Sequence, residues 1–230
     1  SIGIINVAGE MLQNVHVRST NSSIVVGSNM FTLVPGQSID LPFSISISAE
    51  ALCSITGSMS LYVGAHSQER IDLSINCKPL GHAFVFTFED YDGSSQYAAA
   101  VPPTAPSGSS PVLFGLHGAG VDAASDAWVG AFNKQPNAWI LLPTGRKPWG
   151  FDWHGPSQLN SFGALEALEK LPGLDERRKE AYSVDTSRVL YAGHSMGGAG
   201  TWLYVSHYPD KALGAAPAAG FIALERYVPM

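Results

Sequence analysis

A serine flanked by glycines is the part of this sequence whose chemistry is easiest to state. The segment Gly193-His194-Ser195-Met196-Gly197 follows an apolar run and precedes a helix-like stretch that begins at Ala199. Glycines at both flanking positions permit a sharp strand-to-helix turn, which holds the serine in a strained conformation and exposes its hydroxyl. The Met196 N–H then lies at a helix N-terminus, where a developing negative charge is stabilised. We therefore predict that Ser195 is a nucleophile; the alternative is a glycine-rich turn whose serine only caps the helix.

A second glycine-containing segment lies earlier in the chain. His117-Gly118-Ala119-Gly120 directly follows the apolar run "PVLFGL". When a serine attacks a carbonyl group, a loop after an earlier strand supplies a second backbone N–H to the negatively charged oxygen. Small residues in that loop let its backbone approach the carbonyl closely. The N–H of Ala119 is the expected donor. The alternative is a flexible strand exit without such a role.

Four motifs, taken in order, resemble those of a known family. They are "LHGAG", "PTG…WGFDWHG", "AGHSMGGAGTW" and "YPDKALGAAPAAG", and the resemblance covers roughly residues 81 to 225. The sequence is similar to the α/β-hydrolases, and within them to esterases and prolyl-oligopeptidase-like serine hydrolases, including polyhydroxybutyrate-depolymerase-like members. This resemblance implies that Ser195 is the nucleophile, that the N–H groups of Met196 and Ala119 form an oxyanion hole, and that Trp153 and His154 lie near the substrate. The implied substrate is a small ester or a peptide, and no cofactor is implied.

The catalytic partners of such a serine are harder to find. A serine hydroxyl needs a histidine to take its proton and an acid to orient that histidine, and in this family both follow the serine in the chain. The candidates after Ser195 are His207, Asp210 and Glu225. His207 and Asp210 lie at the end of the helix-like stretch that follows the serine, far from its hydroxyl. Glu225 comes only a few residues after the next apolar run, which is too early in the chain for the acid. None of the three fits the role.

We therefore expect the acid and the histidine to come from a C-terminal segment, either a second chain produced by proteolysis or a part lost from this one. A parallel sheet that ended at Leu213–Phe221 would otherwise expose a long apolar edge, which natural folds avoid. The upstream histidines are expected to act differently, His117 and His194 as structural residues and His154 in contact with substrate. The alternative from another functional class is a non-catalytic binding or scaffold protein on a degenerate hydrolase fold.

The elements that must position these residues fall into two regions with different patterns. Residues 1 to 80 contain short runs with period-two alternation, such as Leu41–Ile47 and Ile71–Ile75, and predict a small all-β, immunoglobulin-like sandwich. Residues 81 to 230 begin with an antiparallel pair and continue with apolar strands that alternate with helix-like segments such as Leu159–Leu171. This alternation predicts an α/β fold with a mostly parallel, C-terminally incomplete sheet.

Composition and charge argue against several classes of partner. The net charge of −6, without any basic stripe, argues against nucleic acid, and no apolar run is long enough to span a membrane. The histidines are scattered without metal-ligand spacing, so no metal site is expected. Cys53 and Cys77 form either a disulfide or two buried thiols, and Asn21-Ser22-Ser23 is a glycosylation acceptor. A disulfide and a glycan would both favour a secreted protein.

Overall fold

The computed structural model describes residues 2–19, 24–41, 43–47, 54–76, 78–79, 81–171 and 180–222. The chain divides into two compact units, Ser1–Lys78 and Pro79–Met230. Cys53, Cys77, Asn21 and Glu225 lie outside the described residues. The disulfide and the glycosylation site therefore stay predictions, as does the immunoglobulin-like character of the first region.

The first unit consists of antiparallel strands. They are β1 (Ile2–Ile5), β2 (Leu12–Ser19), β3 (Ile24–Ser28), β4 (Phe31–Leu33), β5 (Ser38–Leu41), β6 (Phe43–Ile47), β7 (Ser54–Val63) and β8 (His66–Asn76). Within the described residues they form a four-stranded sheet, β4-β2-β7-β8, and the pairs β1-β5 and β3-β6. Val15 and Val17 alternate along β2 and pack with Leu33, Leu41 and Met59 in a small apolar core.

The second unit is built on one mixed sheet. Its elements are β9 (Phe84–Glu89), β10 (Ser95–Val101), β11 (Ser110–Leu116), α1 (Asp126–Val129), β12 (Trp139–Pro143), α2 (Pro156–Glu169), β13 (Val184–His194), α3 (Met196–His207) and β14 (Ala212–Ala218). The strand order is β14-β13-β11-β12-β10-β9. The four strands from β14 to β12 run parallel, and β10 pairs antiparallel with both β12 and β9. The predicted α/β class with a mostly parallel sheet is confirmed.

The apolar runs of the sequence become the central strands of this sheet. Every residue of β12 is buried, as is expected of a parallel strand covered on both faces. Helices α2 and α3 pack on the sheet through Leu165 and Tyr204, which join a core that contains Phe114 and Tyr191. Because β11, β12, β13 and β14 are parallel, the loops after their carboxyl ends lie at the same edge. Among the described residues, no helix combines the length and the apolar character needed to cross a membrane.

Candidate active site

Ser195 lies in a strained turn between β13 and α3. Its φ of 56° and ψ of −117° belong to a region that a residue with a side chain rarely adopts. The turn is fixed by two backbone hydrogen bonds, from the Ser195 N–H to the Ala218 carbonyl (2.9 Å) and from the Ala199 N–H to the Ser195 carbonyl (3.0 Å). The flanking glycines are required sterically, because a Cβ at Gly197 would overlap the Leu116 carbonyl. This geometry is that of a nucleophile elbow.

The hydroxyl of Ser195 is not used to hold the turn together. The residue precedes α3, but its side chain makes no capping hydrogen bond to that helix. The side chain is half-buried rather than enclosed in the core. The alternative of a helix-capping serine is therefore not supported, and the role of Ser195 as a nucleophile stays a prediction.

The 117–120 loop after β11 lies directly against this turn. A Cβ built at Gly118 would be 3.6 Å from the Ser195 Cβ and 3.3 Å from the His194 carbonyl oxygen. Among the described residues, no backbone carbonyl accepts the N–H of Ala119 or of Met196. Both predicted donors are thus available at a helix N-terminus and an adjacent loop, although their role as an oxyanion hole stays a prediction.

His117 and Trp153 support the 117–120 loop from the protein interior. The buried His117 ring places Nε2 2.8 Å from the Thr144 carbonyl oxygen and Nδ1 3.0 Å from that of Gly118. Trp153 is fully buried, and its Nε1 donates to the His117 carbonyl at 3.1 Å. The Trp153 side chain lies behind the loop, where the indole packs against Gly200 of α3, and the proximity of Trp153 to a substrate stays a prediction.

The 145–155 loop presents other side chains to solvent. Trp149 is 75% exposed and Phe151 is 58% exposed. His154 is also exposed, so contact between this residue and a substrate stays a prediction. The Trp149 indole lies 3.2 Å from the position of a Cβ at Gly120, which has a φ of +75°. The sequence alone does not distinguish the buried ring of this loop, Trp153, from the exposed rings of Trp149 and Phe151.

A buried ion pair fixes the start of the same loop. The side chain of Asp90 is inaccessible to solvent and accepts hydrogen bonds from Arg146 Nη1 (3.2 Å) and Asn160 Nδ2 (2.9 Å). Arg146 also donates to Asp92 at 2.6 Å, and this hydrogen bond holds the pKa of the Asp92 carboxyl well below its usual range. The sequence reasoning missed this network, because the partners are 56 and 70 residues apart and no local pattern joins them.

Three histidines of the second unit, His82, His117 and His207, contact groups other than the Ser195 hydroxyl. Seven histidines occur in the chain, and because His16 and His66 lie in the first unit, five belong to the second. His82 Nδ1 contacts the Pro79 carbonyl, and His207 Nδ1 lies 3.5 Å from Gln158 Nε2. His207 is also eleven residues along α3 from Met196, roughly 16 Å at 1.5 Å per residue. Within the described part of the chain, no three His, Cys, Asp or Glu side chains are placed to hold a metal ion.

Comparison with known sequences finds relatives much longer than this chain, and no family model matches it. It is 32% identical over 213 residues to an "uncharacterized secreted protein" of Arthroderma benhamiae, a match that covers 86% of this chain and 22% of that protein. It is 29% identical over 143 residues to poly(3-hydroxyalkanoate) depolymerase C of Paucimonas lemoignei, with coverages of 59% and 34%. The chain therefore spans about a fifth to a third of the length of these curated relatives.

Among solved structures, the chain is similar to FphF, a fluorophosphonate-binding serine hydrolase of Staphylococcus aureus. The TM-score is 0.44 at 16% sequence identity, with 66% of this chain and 62% of that chain covered. The family assignment made from the motifs agrees with the strand order of the sheet and with the strained serine that follows β13. The second unit has a mixed, largely parallel α/β sheet consistent with the α/β-hydrolase fold, and Ser195 lies in the strained turn after β13.

Proposed function

We propose that this chain is part of a serine hydrolase that cleaves carboxylic esters, with Ser195 as the nucleophile. The observation that carries the proposal is the strained, half-buried serine whose hydroxyl does not cap α3. The close approach of Gly118 to the Ser195 Cβ supports it, because Gly118 is adjacent to Ala119, whose N–H is one of the two proposed oxyanion-hole donors. An amide or peptide bond is the second candidate substrate, and the more difficult one because an amine is a poorer leaving group than an alcohol.

The proposed reaction has two acyl-transfer steps. Ser195 Oγ gives its proton to a general base and bonds to the ester carbonyl carbon, while the carbonyl π electrons move to oxygen. The N–H groups of Met196 and Ala119 stabilise this oxyanion. When the carbonyl re-forms, the bond to the alcohol breaks and the alcohol takes the proton, leaving an acyl-enzyme. Water then repeats the sequence and releases the carboxylic acid and the serine.

We place the general base and its acid in polypeptide other than the described residues. Two observations support this part of the proposal. The hydrogen bonds of His82, His117 and His207 in the described part of the chain go to groups other than the serine. In the edge strand β14 four of the seven residues are exposed, Leu213 by 56%, whereas parallel strands are normally covered on both faces. A further strand paired with β14 would cover this edge.

The comparisons suggest a substrate class and a location. The depolymerase relative is named for a polyester, and an ester is the bond for which the Ser195 site is suited. The Arthroderma benhamiae relative is named a secreted protein. We therefore include ester substrates of the hydroxyalkanoate type, and secretion, in the proposed function.

Covalent labelling tests the proposal against the alternative of a non-catalytic scaffold. The complete gene product, with any polypeptide that copurifies, is treated with a fluorophosphonate, and the labelled peptide is mapped by mass spectrometry. We expect the label on Ser195, its loss in Ser195→Ala, and a fall in ester turnover of about 10⁴-fold or more in that variant.

Ser206→Ala is the matched control, since Ser206 is an exposed serine on the same helix whose hydroxyl is hydrogen bonded to the Trp202 carbonyl. It should retain both labelling and turnover. Circular dichroism should show that Ser195→Ala remains folded. An unlabelled Ser195 in the complete, folded protein would favour the scaffold interpretation.

A further inference from the structure

We propose that Trp149 determines substrate specificity by providing an apolar face for a flat, aromatic group of the ester. This inference rests on the proposed function, because it concerns the same site. The inference goes beyond the proposed function by naming the residue that selects the substrate and the chemical class of the group that is selected.

The Trp149 ring packs against the 117–120 loop, which also contacts Ser195. The indole lies 3.2 to 3.5 Å from the position of a Cβ at Gly120, at the end of the 117–120 loop. Gly118, at the other end of that loop, approaches the Ser195 Cβ to 3.6 Å by the same measure. The 117–120 loop therefore contacts Trp149 through Gly120 and Ser195 through Gly118. Gly120 must be a glycine here, since its φ of +75° disfavours a side chain and any Cβ would press on the indole.

Trp149 is fixed in place although its ring is exposed. The preceding residue, Pro148, accepts a hydrogen bond from the Gly120 N–H at 2.8 Å. The following residue, Gly150, packs so closely on the Gly145 carbonyl that a side chain would overlap it. Ser157 Oγ donates to the same Gly145 carbonyl at 2.9 Å. An exposed ring on a fixed backbone loses little conformational entropy when a ligand packs on it.

The backbone on both sides of Trp149 is strained in a way that is typical of functional loops. Phe151, Asp152 and Trp153 have φ values of 37°, 47° and 64°, and Arg146 has 74°. Each such residue costs free energy and persists only when surrounding contacts impose it, which occurs most often at ligand sites. Here the contacts are the buried Trp153 indole and the Arg146 ion pairs. These contacts fix the chain on either side of Trp149, at Arg146 and at Trp153.

The chemistry of an exposed indole face defines the preferred group. Indole rings pack offset or edge-on against other aromatic rings and gain from dispersion and from their quadrupoles. A methyl or acetyl group offers too little flat area for this contact. We therefore expect an ester with an aryl group on its acyl or alcohol side to be preferred over one with small groups on both sides.

The test compares kcat/KM for methyl 3-phenylpropanoate and benzyl acetate with that for methyl acetate, in the complete gene product. For each aryl ester, the measured quantity is the ratio of its kcat/KM to the kcat/KM for methyl acetate. In Trp149→Ala we expect this ratio to fall by roughly 5- to 30-fold for at least one of the two aryl esters, mainly through KM. Trp149→Phe should recover most of the preference. Trp202→Ala, which removes a 44% exposed tryptophan on α3, should leave both ratios unchanged. Ratios that do not fall in Trp149→Ala, or that fall equally in Trp202→Ala, would overturn the proposal.

A binding measurement keeps the inference testable without turnover. Methyl 3-phenylpropanoate or benzyl acetate is added in increasing concentration to the Ser195→Ala protein, and the tryptophan fluorescence of the protein is measured. We expect saturable quenching by at least one of them that the added Trp149→Ala substitution removes; binding that survives this substitution would overturn the inference. Failure of the proposed function would be recognised separately, as an unlabelled Ser195 in the wild-type protein.

Discussion

At the scale of single residues, Asp90 depends on the guanidinium of Arg146. The Asp90 side chain is inaccessible to solvent, and Arg146 is only 16% exposed. Removing the cation would leave a buried carboxylate with one remaining side-chain donor, Asn160. We therefore expect Arg146→Met to lower the free energy of unfolding by about 2–4 kcal/mol, measured by urea denaturation at pH 7.

The matched control for this prediction is Arg70→Met. Arg70 and Asp72 also form an ion pair, but their side chains are 72% and 82% exposed, so the loss of unfolding free energy should stay below about 0.5 kcal/mol.

The pH dependence of the stability provides a second check on the Arg146 prediction. Because the pKa of Asp92 is lowered in the folded protein, the part of the stabilisation that Arg146 provides through Asp92 is present above the ordinary aspartate pKa near 4 and is lost as pH falls through the folded value. The difference in stability between the wild-type protein and Arg146→Met should therefore shrink as pH falls below about 4; a difference that does not change with pH would contradict this account.

At the scale of elements, α3 is held against the 145–155 loop by a glycine. A Cβ at Gly200 would lie 2.6 Å from Trp153 Cγ, and that ring supports the carbonyl of His117. Gly163 of α2 is a matched helical glycine, whose Cβ would lie 3.3 Å from Phe88 Cε2. Alanine gains about 1 kcal/mol of helix propensity at either site. We expect Gly200→Ala to be less stable than Gly163→Ala by about 1–3 kcal/mol in thermal unfolding. Equal stabilities would show that the Trp153 contact tolerates a methyl group.

The elements that could be predicted were those with an uninterrupted local pattern. The apolar runs became β11, β12, β13 and β14, and the helical segment at 159–171 became α2. Strand β2 was not predicted, although Val15 and Val17 alternate along it. Its register shifts between Leu12 and Val15, and Asn14 has a φ of 56°, so the alternation is interrupted at its start. Helix α1 has only four residues, too few for a helical period to be recognised.

At the scale of the whole molecule, the exposed edge of β14 tests whether further polypeptide completes the sheet. Leu213 is 56% exposed on this strand, and Leu159 is 50% exposed on α2. If a further strand covers β14 in the complete gene product, Leu213→Asp should lower the free energy of unfolding there by about 2 kcal/mol or more. Leu159→Asp should change it by less than about 1 kcal/mol. Equal, small effects in denaturant titrations would argue that β14 is a true edge strand.

The sequence alone determined the position of the candidate nucleophile and the class of the second unit. An elbow requires glycines within two residues of the serine, and a parallel sheet requires unbroken apolar strands, so both leave local patterns in the chain. Only the tertiary structure decided that Trp153 is buried behind the 117–120 loop while Trp149 faces solvent beside it. It also decided that Asp90 pairs with Arg146. Burial and pairing depend on contacts between segments far apart in the chain. Such contacts cannot be predicted from the sequence of a single loop, because they produce no local pattern in it.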